Sequence, residues 1–176
     1  MTPRVLALVG LPGTGKTALA QAIATHRMAR GRPAYVLHVD LLKHTLRLAG
    51  FRALEGPIWE GEPEEKFRIV HPYLHQHADK ARRDGYDLIV EGSLAIGFNA
   101  TDRYIQLQAP RPVRSARISQ KHAAARHALA TVDFDRLDNL MEDHAIDIRE
   151  VLTTQADIAD LVLGVESTWN PPLEGV

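Results

Sequence analysis

The residues whose types and spacing could carry chemistry begin close to the N-terminus. Positions 10–17 read GLPGTGKT, which fits the pattern G-x-x-x-x-G-K-[ST] in full. Glycines in such a segment permit backbone dihedrals that let successive N–H groups converge on phosphate oxygens. Lys16 would reach the β- and γ-phosphates, and the Thr17 hydroxyl would take a Mg²⁺ position. A short apolar run precedes the segment and a helical pattern follows it, so the sequence predicts a site for a nucleoside triphosphate. The predicted nucleotide-binding residues of this segment, called the phosphate loop below, are Gly10, Leu11, Pro12, Gly13, Thr14, Gly15, Lys16 and Thr17.

Two acidic residues at the ends of predicted strands form a second group of candidates. "AYVLHVD" predicts a strand that ends in Asp40, and "YDLIVEG" predicts a strand that ends at Glu91. Ligands of open α/β sheets bind beyond the carboxyl ends of the strands. Asp40 could accept the proton of an incoming hydroxyl or hold a Mg²⁺-bound water, although aspartate is also a common helix cap. Glu91 could serve Mg²⁺ or hold the acceptor; a simple ion pair with a neighbouring cation is the alternative.

Basic residues supply a third group. Arg114, Arg117 and Lys121 follow one helical face in a segment predicted to be a helix over about 111–130, and Arg126 lies further along it. Such a segment can close over a triphosphate as a lid, where arginine stabilises charge on the transferring group. A solvated basic face is the alternative. Arg117 is the favoured catalytic candidate, and Arg126 is the second candidate, as a nucleotide-binding residue.

Residues that could bind an acceptor lie between the second and third predicted strands. Lys43, Arg47 and Arg68 would suit a phosphorylated or sulfated acceptor, although surface helices also carry such residues for solubility. Phe51 could stack on a planar ring or fill the core, whereas the core is the favoured place for Trp59.

The elements that must position these residues alternate along the chain. Short apolar runs alternate with helical patterns, which predicts βαβ units and a three-layer α/β/α domain with a five-stranded parallel sheet. The expected strand order is 2-3-1-4-5. The predicted strands are RVLALVG, AYVLHVD, YDLIVEG, RYIQLQ and DLVLGV, and helical spacing is also present over 134–152. We expect one domain over residues 1–168 and a C-terminal tail over 169–176.

The amino-acid composition limits which classes of molecule the protein is expected to bind. The 176 residues have a net charge of −1 and contain no cysteine, so no strong field favours nucleic acid or an anionic membrane, and disulfides and thiolate metal sites are excluded. No signal peptide precedes the phosphate loop and no run is long enough to span a membrane. These features predict a cytoplasmic protein that acts on a small-molecule acceptor, with no nucleic-acid or membrane partner; a homodimer is one assembly state we consider.

Over roughly residues 4–126 the chain resembles the P-loop small-molecule kinases, most closely the adenylylsulfate kinases. DLLKHTL at 40–46 is similar to the family's Asp-x-x-Arg-His-x-Leu, Gly50-Phe51 to its Gly-Phe, and EKFRIV at 65–70 to its Glu-Asn-Ile-Arg-Arg-Val. APRPVRSAR at 109–117 resembles the segment that opens the family's lid and places its arginine at Arg117. The resemblance implies a kinase fold, ATP with Mg²⁺, and phosphoryl transfer.

Two features differ from the adenylylsulfate kinases. Lys43 stands where that family has a substrate-contacting arginine, and the family's Ser-Pro-Tyr-Arg after the third strand is absent. The segment Glu91-Gly92-Ser93 instead resembles the zeta-toxin type of kinase, which phosphorylates a sugar nucleotide.

The favoured interpretation is an ATP-dependent phosphotransferase that moves the γ-phosphate to a hydroxyl of a small anionic metabolite. An adenylylsulfate kinase proper and a sugar-nucleotide or antibiotic kinase are narrower alternatives. A nucleotide-binding switch with slow ATP hydrolysis is the alternative of another class, although the GTPase motifs Asp-x-x-Gly and Asn-Lys-x-Asp do not occur. The preference for ATP over GTP and the roles of Asp40 and Glu91 as base or Mg²⁺ ligand stay open.

Overall fold

A parallel sheet of five strands forms the centre of the fold. The structure is a computed structural model that describes residues 2–58, 60–121, 151–153 and 158–169. The strands are β1 (Val5–Val9), β2 (Ala34–His38), β3 (Asp87–Glu91), β4 (Arg103–Gln108) and β5 (Val151–Thr153). Their order is β2-β3-β1-β4-β5, and every neighbouring pair is parallel. The predicted α/β class and the order 2-3-1-4 of the first four predicted strands are confirmed, whereas the fifth place in the sheet belongs to Val151–Thr153 and not to the predicted segment DLVLGV.

Helices cover both faces of the sheet. They are α1 (Lys16–Met28), α2 (Val39–Leu48), α3 (Pro63–Asp84), α4 (Arg111–Lys121) and α5 (Ile158–Trp169). The central strand β1 is buried throughout. Val5, Ala7 and Val9 pack with α2 and α3, whereas Leu6 and Leu8 pack with α1 and α5, because successive strand side chains point to opposite faces. None of the helices in the described ranges combines the length and apolar composition of a membrane span.

The sequence marks both ends of helix α3, since proline favours the first turn of a helix and glycine commonly follows the last residue. Pro63 occupies its first turn and Gly85 follows its last residue with φ +85°, a left-handed conformation that glycine adopts at little cost. Helical spacing predicts one apolar face on this helix, and all of its members are buried: Phe67, Val70, Leu74, Ala78 and Ala81.

Two predicted strands differ from the structure: one was predicted to extend too far, and the other is a helix. β2 ends at His38, and Val39 and Asp40 already belong to α2, so Asp40 lies in a first helical turn rather than on the strand. The segment DLVLGV forms part of α5 instead of a strand. A six-residue apolar run fits either element, and here Val162, Val165 and Trp169 are buried at helical spacing.

The C-terminal part of the chain differs from the sequence-based assignment in two further places. The fifth strand is Val151–Thr153, at the end of the segment predicted to be helical over 134–152; residues 134–150 lie outside the described part. Trp169, assigned to the tail, is the last residue of α5 and only 1% exposed. Residues 170–176 are outside the described ranges.

A buried group of charged residues joins α1, β3 and α5. Asp87 accepts hydrogen bonds from Arg27 and from Arg32 Nε, the latter at 2.9 Å, and Arg27 Nε also pairs with Glu166 Oε1 at 2.8 Å. The Arg27 guanidinium lies over the Trp169 ring, 3.3 Å from the ring centroid. Burial lowers the pKa of Arg27, and its two carboxylate partners oppose that change. These contacts attach α5 to the sheet beside α1.

Candidate active site

The phosphate loop connects β1 to α1 and depends on three glycines with positive φ. Gly10, Gly13 and Gly15 have φ values of +144°, +82° and +97°. A Cβ atom on Gly10 would lie 2.4 Å from Leu107 O, and one on Gly13 would lie 2.8 Å from Arg114 O. The loop therefore passes against β4 and α4 at distances that exclude any side chain, which is the close backbone approach the motif predicts.

Hydrogen bonds within the phosphate loop hold its cationic side chain in place. Leu11 O accepts hydrogen bonds from Thr14 Oγ1 at 2.9 Å and from Lys16 Nζ at 3.0 Å. Lys16 is buried, with 8% exposure, and it begins α1, whose N-terminal N–H groups carry partial positive charge. The loop thus combines an ammonium, a helix N-terminus and converging backbone N–H groups, an arrangement suited to phosphate oxygens.

Glu91, the last residue of β3, connects the phosphate loop to the neighbouring strand. Thr17 Oγ1 lies 3.3 Å from both carboxylate oxygens of Glu91, and His38 Nδ1 lies 2.7 Å from its Oε1. Glu91 is buried, whereas His38 is partly exposed. A hydroxyl and a carboxylate beside a phosphate site are oxygen ligands of the kind that Mg²⁺ takes, directly or through water. Thr17 and Glu91, two of the three residues predicted to serve Mg²⁺, are thus in contact with each other.

Helix α4 covers the phosphate loop from the other side. Arg117 donates hydrogen bonds to Gly13 O at 3.2 Å and to Thr14 O at 3.4 Å. Together with residues of the loop it lines a cavity of about 350 Å³, which we call the phosphate cavity. Its walls comprise Gly13, Gly15, Lys16, Thr17, Ala18, Arg117 and Ile118. Arg114 is buried against Gly13. Lys121 ends the helix, and Arg126 with the rest of the predicted lid lies outside the described residues.

Two adjoining cavities lie on the β2–β3 side of the phosphate loop. The smaller, of about 200 Å³, is lined by Pro12, Asp40, Lys43, Pro57, Ile58, Ser93 and Leu94. The larger, of about 320 Å³, is lined by Asp40, Lys43, His44, Arg47, Leu54, Gly56 and Pro57. The two share Asp40, Lys43 and Pro57 as walls, so they adjoin, and we call them together the acceptor cavity. It runs from the phosphate loop to the basic side of α2.

The acceptor cavity has an acidic and a basic end. Asp40, Lys43, His44 and Arg47 are spaced i, i+3, i+4 and i+7 in α2, so they share one helix face. Lys43 Nζ donates a hydrogen bond to Gly56 O. Burial lowers the pKa of Lys43, and the neighbouring Asp40 carboxylate raises it in part. An anionic group would relieve the desolvation of this ammonium, whereas a cation would add to it.

Two other predicted acceptor residues, Arg68 and Phe51, are not among the residues that line the acceptor cavity. Arg68 is 77% exposed on α3 and lies 3.8 Å from Glu65, in an exposed ion pair; it lines none of these cavities. Phe51 is 38% exposed and meets Tyr73 edge to face, with ring centroids 6.5 Å apart. Trp59 lies outside the described residues.

Three residues of the site were not predicted from the sequence. His38 contacts Glu91 because the last residues of β2 and β3 are register partners, a pairing that the predicted strand order implies. Ser93 Oγ donates to Gly10 O at 3.0 Å and lines the acceptor cavity. Lys66 is buried beside Pro57 and Glu60; a lysine within the apolar face of α3 was its only signal in the sequence.

Comparison with solved structures places this geometry among known folds. Mycobacterium tuberculosis APS kinase CysC, in complex with AMPPNP and APS, aligns with a TM-score of 0.68 at 19% identity, over 96% of this chain and 98% of that one. The chain shares the fold of this APS kinase structure. The structure of APE1195 aligns with a TM-score of 0.66 at 20% identity, over 98% of this chain and 98% of that one. The structure of TT1252 from Thermus thermophilus aligns with a TM-score of 0.62 at 17% identity, over 96% of this chain and 97% of that one. No protein-family model matches the chain, and no curated protein matches it in sequence. The likeness at these identities therefore concerns the fold, and the site's chemistry must be argued from its own residues.

Proposed function

We propose that this protein is an ATP-dependent phosphotransferase that transfers the γ-phosphate to a hydroxyl group of a small anionic metabolite. The observation that carries the proposal is the position of the acceptor cavity. It reaches from Pro12 of the phosphate loop, past Asp40, to the cationic side of α2. A phosphate donor on one side of the loop and an acceptor on the other are the two components that phosphoryl transfer requires.

ATP and Mg²⁺ fit the residues of the phosphate cavity. The loop's glycines hold the backbone in the shape that presents N–H groups to phosphates, and Lys16 and Arg117 line the cavity. Thr17 and Glu91 would hold Mg²⁺, directly or through water. Bound there, the ion would neutralise charge on the β- and γ-phosphates.

In the proposed reaction, Asp40 acts as the general base. The acceptor hydroxyl oxygen forms a bond to the γ-phosphorus, the bond from that phosphorus to the β–γ bridging oxygen breaks, and ADP leaves. The hydroxyl proton passes to the Asp40 carboxylate. Lys16 and Arg117 stabilise the charge that spreads over the transferring group. Asp40 is preferred to Glu91 as the base because it lines the acceptor cavity, while Glu91 contacts Thr17.

The basic residues of α2 define the acceptor. Lys43 and Arg47, with His44 between them, would bind a phosphate, sulfate or carboxylate of the acceptor while its hydroxyl lies near Asp40. Phosphorylated or sulfated small molecules, sugar acids and sugar nucleotides all meet this requirement. Adenylylsulfate and sugar nucleotides are therefore specific members of the proposed class, and the metabolite character of the acceptor supports a cytoplasmic site of action.

The test is ADP release from Mg²⁺-ATP, alone and with a panel of acceptors: adenylylsulfate, sugar nucleotides, sugar acids, phosphorylated three-carbon acids and aminoglycosides. One acceptor should accelerate ADP release and appear as a phosphorylated product. Asp40→Asn should then lower kcat by about 100- to 10,000-fold, the usual contribution of a general base, with little change in ATP affinity.

The matched control for this test is Asp79→Asn, at an aspartate that is 73% exposed on α3. This variant should keep normal turnover. Slow ADP release that no acceptor accelerates would contradict the proposal and favour a nucleotide-binding switch. Acceleration that survives in Asp40→Asn would keep the kinase and exclude this base.

A further inference from the structure

Lys66 is buried at a place where a helix ordinarily carries an apolar side chain. It lies near the start of α3, shares a helix face with Val70 of the core, and is only 2% exposed. Removing an ammonium from water costs free energy unless hydrogen bonds replace its hydration. The burial of this lysine therefore requires acceptors that are fixed close to its Nζ atom.

Three main-chain carbonyl oxygens of a single loop provide those acceptors. Lys66 Nζ lies 3.3 Å from Glu55 O, 2.5 Å from Pro57 O and 2.6 Å from Glu60 O. An ammonium has three N–H donors, and hydrogen bonds from a charged donor are stronger than neutral ones. One buried side chain thus binds Glu55, Pro57 and Glu60 together, and we call the described residues of this loop, 55–58 and 60, the acceptor loop.

The acceptor loop forms a wall of the acceptor cavity. Pro57 lines both of its parts, Gly56 lines the larger part and Ile58 the smaller. Gly56 O also accepts the hydrogen bond from Lys43 Nζ. The carbonyls that Lys66 binds lie on either side of Gly56, so the position of the Lys43 ammonium depends on the shape that Lys66 imposes on the loop.

We propose that Lys66 is a positioning residue for the acceptor: it holds the acceptor loop so that Lys43 and the loop wall are in place before the anionic group arrives. This inference rests on the proposed function, because it takes the acceptor cavity to bind an anion. Lys66 lines neither part of the cavity, and it acts through the loop without touching the acceptor. Its loss should weaken anion binding and leave nucleotide binding at the phosphate loop unchanged.

The first experiment measures the loop itself. Lys66→Met keeps most of the aliphatic stem and removes the donors, and Lys80→Met is the matched control, because Lys80 is exposed on the same helix and pairs with Asp84. Hydrogen–deuterium exchange of amides in residues 55–58 and 60–61 should be about tenfold faster in Lys66→Met, since hydrogen bonds from a charged group are lost. Exchange in the phosphate loop should not change, and Lys80→Met should match the wild type throughout.

The second experiment measures anion binding with inorganic phosphate as the probe. The phosphate loop is first saturated with Mg²⁺ and the non-hydrolysable analogue AMPPNP, so that added phosphate reports on the acceptor cavity. We expect the phosphate Kd to rise about five- to tenfold in Lys66→Met, while the AMPPNP Kd stays within about twofold of the wild-type value. Lys43→Met should weaken phosphate binding without accelerating exchange at Glu55 and Glu60.

Each other result overturns the inference in a recognisable way. Faster loop exchange with an unchanged phosphate Kd would leave Lys66 a structural residue only. Equal weakening of phosphate and AMPPNP would indicate general damage to the fold. A wild-type protein that binds no phosphate would remove the anion site, whereas the proposed phosphotransfer is tested separately by acceptor-dependent ADP release. If Lys66→Met does not fold, Lys66→Gln, which keeps an amide donor, is measured in the same way with the same criteria.

Discussion

Gly13 and Gly31 both have positive φ, but their surroundings differ. Their φ values are +82° and +70°. A Cβ atom on Gly13 would lie 2.8 Å from Arg114 O and 3.0 Å from Arg114 Cα, whereas one on Gly31 would meet nothing within 4 Å. Alanine at Gly31 therefore adds backbone strain alone, while alanine at Gly13 adds the same strain and pushes α4 away from the phosphate loop.

This pair of glycines allows the loop–helix contact to be measured. Gly31→Ala should lower the free energy of unfolding by about 1–2 kcal/mol, the cost of left-handed backbone in an L-residue. Gly13→Ala should cost more and weaken binding of an ATP analogue at least about tenfold, which corresponds to about 1.4 kcal/mol. Urea unfolding and a titration with a fluorescent ATP analogue would measure both. Equal effects of the two substitutions would contradict the importance of the α4 contact.

The side chain of Arg117 in α4 reaches the phosphate loop. Because it lines the phosphate cavity and bonds to Gly13 O and Thr14 O, Arg117→Ala should lower ATP turnover by about 100-fold or more, the usual effect of removing a donor to developing negative charge. Arg111→Ala, at an exposed position of the same helix, should leave turnover unchanged. Steady-state ADP release would measure turnover in both variants, and normal turnover in Arg117→Ala would exclude Arg117 from the mechanism.

At the scale of elements, the sequence predicts best where the pattern is local. β1, β3 and β4 are apolar runs beside clear turn residues, and their buried positions follow directly. α5 was misassigned because its apolar run is short, and the spacing of Val162, Val165 and Trp169 that favours a helix extends beyond that run. The choice between helix and strand therefore depended on Trp169, which lies outside the six-residue run.

The site shows the same division between local and non-local information. The phosphate loop is a contiguous motif, and its shape could be predicted in detail. The contact between His38 and Glu91 requires two strands to be paired in register. The contacts of Lys66 require a loop whose carbonyls converge on one atom, and no residue type in that loop signals such an arrangement.

The attachment of α5 provides a test at this scale. Trp169 is only 1% exposed and lies beneath the Arg27 guanidinium, so Trp169→Ala should lower the free energy of unfolding by about 3–5 kcal/mol, as for other buried tryptophans. Leu163, on the same helix, is 57% exposed, and Leu163→Ala should change stability by no more than about 0.5 kcal/mol. Urea unfolding would compare them; a small loss in Trp169→Ala would show that α5 adds little to the fold.

At the scale of the whole molecule, Asp87 connects distant parts of the chain. Its carboxylate accepts hydrogen bonds from Arg27 of α1, from Arg32 before β2, and from the backbone N–H of Arg4 before β1. Burial alone would raise the pKa of Asp87, but these hydrogen bonds, with Arg32 and Arg27 foremost, outweigh it and hold the pKa below its usual value of 3.8. The ionised form is thus the one that the folded state binds.

The depressed pKa of Asp87 determines how stability should change with acid. In the unfolded chain the carboxyl titrates near 3.8, so its contribution is complete above that pH and is lost as the pH falls toward the lower pKa of the folded state. Asp87→Asn should cost about 3–5 kcal/mol at pH 7, because it leaves the Arg27 guanidinium buried without this carboxylate. The difference between variant and wild type should shrink below pH 3.8, where the wild type alone loses the contribution. Urea unfolding from pH 7 to pH 3 would show the convergence, and Asp84→Asn, at a carboxylate paired with exposed Lys80, provides the surface control. A difference that stays constant over this range would mean that the folded protein does not depend on ionised Asp87, and that the contacts among α1, β3 and α5 are held by packing alone.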